Sequence, residues 1–157
     1  MTIDHALGLL HEITADVHFA ARRCSLSATT LFDRSYGLCE LMTKVAMDQL
    51  PNNPFQKVVF VGIQIPARLI QNAKTYSSHT VGVLHRFPLP GENEKAIIFD
   101  YACAQYGIDR ELHAVVLDKE LLYEELRHTY GGGIWQPGGD WLAHLDVDLF
   151  IKQLSSA

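Results

Sequence analysis

The chain has 157 residues, 48% of them hydrophobic and 20% charged, with a formal net charge of −5. That is long enough for a single domain with a core of its own, needing no metal or disulfide staple. The acidic balance lacks the basic footprint that phosphate backbones demand, so nucleic acid is not an expected partner.

The first segment repeats Ile3, Leu7, Leu10, Val17 and Ala20 at helical spacing, with Thr2 placed as the cap, and predicts one helix over about residues 3–22. Ser25 to Thr30 reads as a loop. Leu38, Leu41, Met42, Val45, Ala46 and Gln49 predict a second helix, which begins near Tyr36-Gly37 and ends at Leu50, because Pro51 and Pro54 cannot continue it. Cys39 then falls in its first turn. Lys57 to Ile65 is a β-branched run between prolines and predicts a buried strand. Residues 67–76 fit either a short helix or a loop. Ser78 to Phe87 and Lys95 to Tyr101, separated by a Pro/Gly turn, predict an antiparallel hairpin, and Leu112 to Leu117 a further strand. Asp118 to His128 reads as a helix capped by Asp118 and ended by Gly131-Gly132-Gly133. Tyr130 to Trp141 reads as a flexible loop with aromatic anchors, and Asp146 to Leu154 as a last helix. The order is α+β: a helical part over 1–50, a mostly antiparallel sheet over 56–117, and a helical and loop part over 118–157.

Cys24, Cys39 and Cys103 are an odd number without CxxC spacing, so at least one thiol stays free and no disulfide framework is expected. The N-terminus carries Asp4, Glu12 and Asp16 and no basic region, unlike a Sec leader. No apolar run reaches the roughly 20 residues that cross a bilayer. The expectation is a soluble protein, cytoplasmic or exported by a route that needs no such leader. His5, His11 and His18 lack the i, i+4 spacing of a helical metal pair, and no phosphate-loop register occurs, so neither metal nor cofactor is expected. The oligomeric state is not legible.

Chemistry concentrates at three residues. A thiolate at a helix start is stabilised by unpaired amides and by roughly half a positive charge from the macrodipole, which makes Cys39 the candidate nucleophile. Gly37 and Leu38 before it form a loop that lets a substrate approach, and the Cys39 amide lies where an oxyanion would develop. Against this stands the common buried cysteine of an apolar helix. His79 opens a strand 40 residues after Cys39, and Asp100 ends the next strand 21 residues further on. A hairpin centred on Leu89-Pro90 sets those two strand ends side by side, near enough for the carboxylate to fix the imidazole tautomer. His85, on the same strand face, is the competing base. Trp135 is a candidate for lining a substrate groove or for capping the core.

A cysteine in a first helical turn (YGLCEL), a histidine opening a strand (SHTVGVLH) and an aspartate on the following strand (AIIFDYACAQYG) resemble the papain-like superfamily. That group includes transglutaminases, arylamine acetyltransferases and bacterial glutamine deamidases. The resemblance spans about residues 33–107, and its size and Cys–His spacing fit the deamidase branch best. It implies a papain-like core and a protein or peptide substrate attacked by a Cys39-His79-Asp100 triad. The Gln that completes the oxyanion hole in papain-type peptidases has no counterpart, since position 33 is Asp33; Gln64 is the substitute on offer. Deamidase or toxin-type effector is therefore the expected function. Peptidase and amine acyltransferase are alternatives on the same site, and a non-catalytic adaptor or chaperone is the rival from another class.

Overall fold

A computed structural model describes residues 2–24, 30, 31, 33, 37–66, 76–87 and 94–155. In chain order these form α1 (Ile3–Glu12), α2 (Thr14–Cys24), α3 (Cys39–Gln49), β1 (Gln56–Pro66), β2 (Tyr76–His85) and β3 (Lys95–Asp100). A 3-10 turn (Cys103–Tyr106), β4 (His113–Asp118), α4 (Leu122–Tyr130), β5 (Ile134–Pro137) and α5 (Val147–Ser155) follow, with short 3-10 turns before α4 and α5. The fold is α+β. Five strands make one sheet in the order β4-β3-β2-β1-β5, and every neighbouring pair is antiparallel.

The sheet is covered on both faces, as its strands' two-residue period requires. Leu84, Ile97 and Phe99 face a core built with Ala6 and Leu10 of α1, Val17 and Ala21 of α2, Leu41 and Met42 of α3 and Ile151 of α5. Val81, Val83, Ala96 and Ile98 face the other way, onto Leu122, Leu126 and Tyr130 of α4 and Trp135 of β5. Two glycines let aromatic rings lie flat on the sheet. Gly82 pairs with Phe99, and a Cβ there would stand 2.1 Å from the Phe99 ring. Gly62 pairs with Trp135 on one side and His79 on the other, and its Cβ would stand 2.7 Å from the indole.

The single helix expected over 3–22 is two helices, divided at Ile13, whose amide closes the last turn of α1 onto the His11 and Leu9 carbonyls. Asp118 does not cap the following helix; its carboxylate pairs with Lys95, and a 3-10 turn precedes α4. The Gly/Trp-rich stretch contains a strand, β5, where the sequence pattern predicts a loop. Its four residues, one of them Pro137, are too short and too turn-rich in their flanks to announce a strand. The loop expected over Ser25 to Thr30 lies outside the described residues except for Thr30, the helix or loop at 67–76 except for Tyr76, which opens β2, and the hairpin turn at 88–93 lies wholly outside them.

Candidate active site

His79 does not open its strand: it is the fourth residue of β2, beyond the last β2–β3 pair, Gly82–Phe99, and its side chain meets that of Asp100 where β3 ends. His79 precedes Val81 and Asp100 follows Ile98, so both fall on the α4 face. His79 Nε2 lies 2.7 Å from Asp100 Oδ2, and both side chains are buried. The register is not the one that pairs them directly. The observed ladder sets Gly82 opposite Phe99, and one further step would set Val81 opposite Asp100, a displacement of two residues. Because two residues preserve the face, the side chains still meet, on a diagonal.

Asp100 has three donors. Besides His79, the Tyr130 hydroxyl donates to Oδ2 at 2.6 Å and the Ala102 amide to Oδ1 at 2.8 Å. Burial alone would raise the Asp100 carboxyl, but the His79 charge, the two side-chain donors and the amide hold it below its ordinary value. Burial alone would likewise lower His79. The Asp100 charge and hydrogen bond outweigh that, and with a contribution from Cys39 they push His79 up to about 10. Three aromatic rings close the environment. Tyr106 and Tyr130 lie 4.6 and 5.0 Å from the imidazole, and Trp135 lies 5.2 Å from Tyr130.

Cys39 comes from the other layer. Helix α3 packs on the opposite face, and its first residue reaches the same end of the sheet, where Cys39 acts on both His79 and Tyr106. With Nε2 held by Asp100, Nδ1 is the nitrogen left for the thiol. It makes no well-aligned hydrogen bond among the described residues, yet the Cys39 thiol is near enough that weak hydrogen bonding and charge both favour the protonated ring. Cys39 is half-buried, whereas Cys24 and Cys103 are buried. Burial raises the Cys24 thiol and, together with the Asp100 charge, pushes Cys103 up to about 12. Leu38 caps α3 with no side-chain hydrogen bond of its own to the first amides of the helix.

The remaining expected residues sit differently. Gly37 adopts φ +73° and gives its amide to Gln105 Oε1 at 3.2 Å, so that amide is engaged within the protein. Leu38 is buried. Gln64 lies exposed on a bulge of β1, at φ +55°, with no hydrogen bond among the described residues to Cys39 or His79. Trp135, a candidate for a substrate groove, is buried over Gly62 and donates its indole N–H to the Gly132 carbonyl at 3.0 Å. It walls the network. His85, the competing base, stands at the far end of β2, 3.7 Å from Glu94.

Three residues at the site carry no motif of their own: Tyr130, Gln105 and Tyr106. The signal for Tyr130 is that a tyrosine on an amphipathic helix face needs a partner for its hydroxyl once buried. Among the described residues, no group of three or more His, Cys, Asp or Glu is placed to hold a metal ion, and no helix is long and apolar enough to cross a membrane. Compared with models of protein families, with curated proteins and with solved structures, the chain matches none of them.

Proposed function

We propose that this chain is a thiol-dependent amide hydrolase that deamidates glutamine side chains of a protein or peptide substrate. The observation that carries the reading is a buried carboxylate–imidazole pair beside a half-buried thiol at a helix start. A side-chain amide protrudes, and so it reaches a half-buried sulfur more readily than a main-chain amide, which brings its flanking residues along.

In this reading the Cys39 proton resides on His79, whose charge Asp100 and Tyr130 support. The sulfur attacks the carboxamide carbon, and the oxyanion that forms is met by the amides opening α3. Collapse breaks the C–N bond while His79 gives its proton to the leaving nitrogen, which departs as ammonia. Water then attacks the thioester carbonyl, His79 takes a proton from it, and the glutamate product leaves with Cys39 restored as a thiol. Asp100 orients the ring throughout and stabilises its charged form.

Two measurements test this. Iodoacetamide at mildly acidic pH labels one thiol rapidly, and labelling is lost in Cys39→Ala but kept in Cys24→Ala and Cys103→Ala. Intact-mass spectra of candidate substrate proteins show a gain of about one dalton per turnover, since NH₂ becomes OH. Substrate cleavage or crosslinking instead would assign the same thiol to a peptidase or an acyltransferase. Slow, denaturant-dependent labelling of all three thiols would identify a non-catalytic binding protein.

A further inference from the structure

The geometry points to Gln105 as a positioning residue that fixes the distance between Cys39 and His79; the inference rests on the reading of Cys39 as nucleophile. The two halves of the site come from opposite layers of the fold, so something must hold them in register. Packing of α3 through Leu38, Leu41 and Met42 seats Cys39 against the core of its own layer but makes no link to the His79 side of the sheet.

Gln105 is a buried amide in the 3-10 turn that follows β3. Its Oε1 accepts the Gly37 amide at 3.2 Å, two residues before Cys39, and its Nε2 donates to the Ala102 carbonyl at 3.4 Å. The Ala102 amide in turn binds Asp100 Oδ1, and Asp100 Oδ2 binds His79. A continuous hydrogen-bonded thread therefore runs from the lead-in of the nucleophile to its base. The neighbouring residue on the same turn, Tyr106, lies against the His79 ring and bonds Ser77 at 3.0 Å. One short turn thus grips the thiol's lead-in with one side chain and the imidazole with the next. Gly107, at φ +84°, closes the turn with its amide on Ala104 and Cys103 carbonyls. Gly37, at φ +73°, gives its lead-in a conformation that few other residues adopt, and Gln105 holds it there.

Gln105→Met keeps the length of the side chain and removes both hydrogen bonds. Reading the rate of Cys39 alkylation against pH separates positioning from packing. On the acid side alkylation of Cys39 depends on the sulfur lying beside His79, whereas in strong alkali thiols react without such a partner. The variant is expected to alkylate roughly tenfold more slowly than the parent near pH 6, because small displacements between reacting groups cost rate steeply. The two rates should converge near pH 10. Gln105→Glu keeps the acceptor for Gly37 and is expected to fall between them. Superimposable profiles, equal slowing at every pH, or a Gln105→Glu rate no better than that of Gln105→Met would overturn the assignment while leaving the nucleophile intact. A parent protein whose Cys39 shows no acid-side reactivity would remove the functional reading as well.

Discussion

Strand β2 carries a histidine near each end, on the same face, and the two ends differ in nearly every electrostatic respect. His79 is buried against a carboxylate that three donors hold, with a thiol nearby, and its pKa is driven up to about 10. His85 is also mostly buried, but Glu94 stands 3.7 Å away on an exposed loop, and burial together with the Lys119 charge lowers its pKa. Both rings suffer desolvation, which favours the neutral form. What separates them is whether a counter-charge is buried with the ring. Only the His79 end buries a carboxylate together with the ring.

The largest break in this contrast comes from removing the counter-charge. Asp100→Ala leaves an imidazolium and the Tyr130 hydroxyl buried without their acceptor, and should cost about 3–5 kcal/mol in denaturant unfolding. Asp100→Asn, which keeps the shape, should reduce turnover roughly 10²-fold or more if the charged pair serves catalysis.

A pH series sharpens the contrast without mutation. For His79 the folded pKa is raised, so its stabilisation is complete below the unfolded value near 6.5 and fades as pH climbs toward about 10. For Asp100 the folded pKa is depressed, so its share is present above about 3.9 and lost on acidification below that. His85 has the opposite sign from His79: its lowered pKa favours the unfolded state as pH falls below about 6.5. Unfolding free energy measured from pH 4 to 10 in the parent and in His85→Gln should differ on the acid side, with the variant losing less on acidification.

Gly62→Ala probes the wall beside His79. Its methyl would stand 2.7 Å from the Trp135 ring, which rests on Tyr130. A cost of about 1–3 kcal/mol is expected in thermal or chemical denaturation, with a few-fold slower Cys39 alkylation. The smallest effect belongs to His85→Gln at neutral pH, which should leave turnover unchanged and stability within about 1 kcal/mol.

Much of this was readable in the sequence, for identifiable reasons. The end of α3 followed from Pro51 and Pro54, its start near Cys39 from Tyr36-Gly37, and the three main strands from their β-branched runs. The joining of His79 to Asp100 followed from hairpin parity, and it survived a two-residue error in register because parity is unchanged by two. Contacts made through tertiary packing left little trace. Tyr130 reaches Asp100 from a helix 30 residues further along, and Gln105 reaches Gly37 across 68 residues, so neither follows from local pattern. Strand β5 escaped because its pairing is set by Gly62 and Trp135 across the sheet rather than by propensity within its own four residues.

In the proposed mechanism Cys39, His79 and Asp100 act as one charge-coupled unit. The most direct measurement is the titration of the His79 ring by ¹⁵N NMR, in the parent and in Cys39→Ala. The expected result is a midpoint near 10 in the parent that falls when the sulfur is removed. A midpoint near the ordinary value of about 6.5 in the parent, or the same midpoint in both proteins, would contradict it.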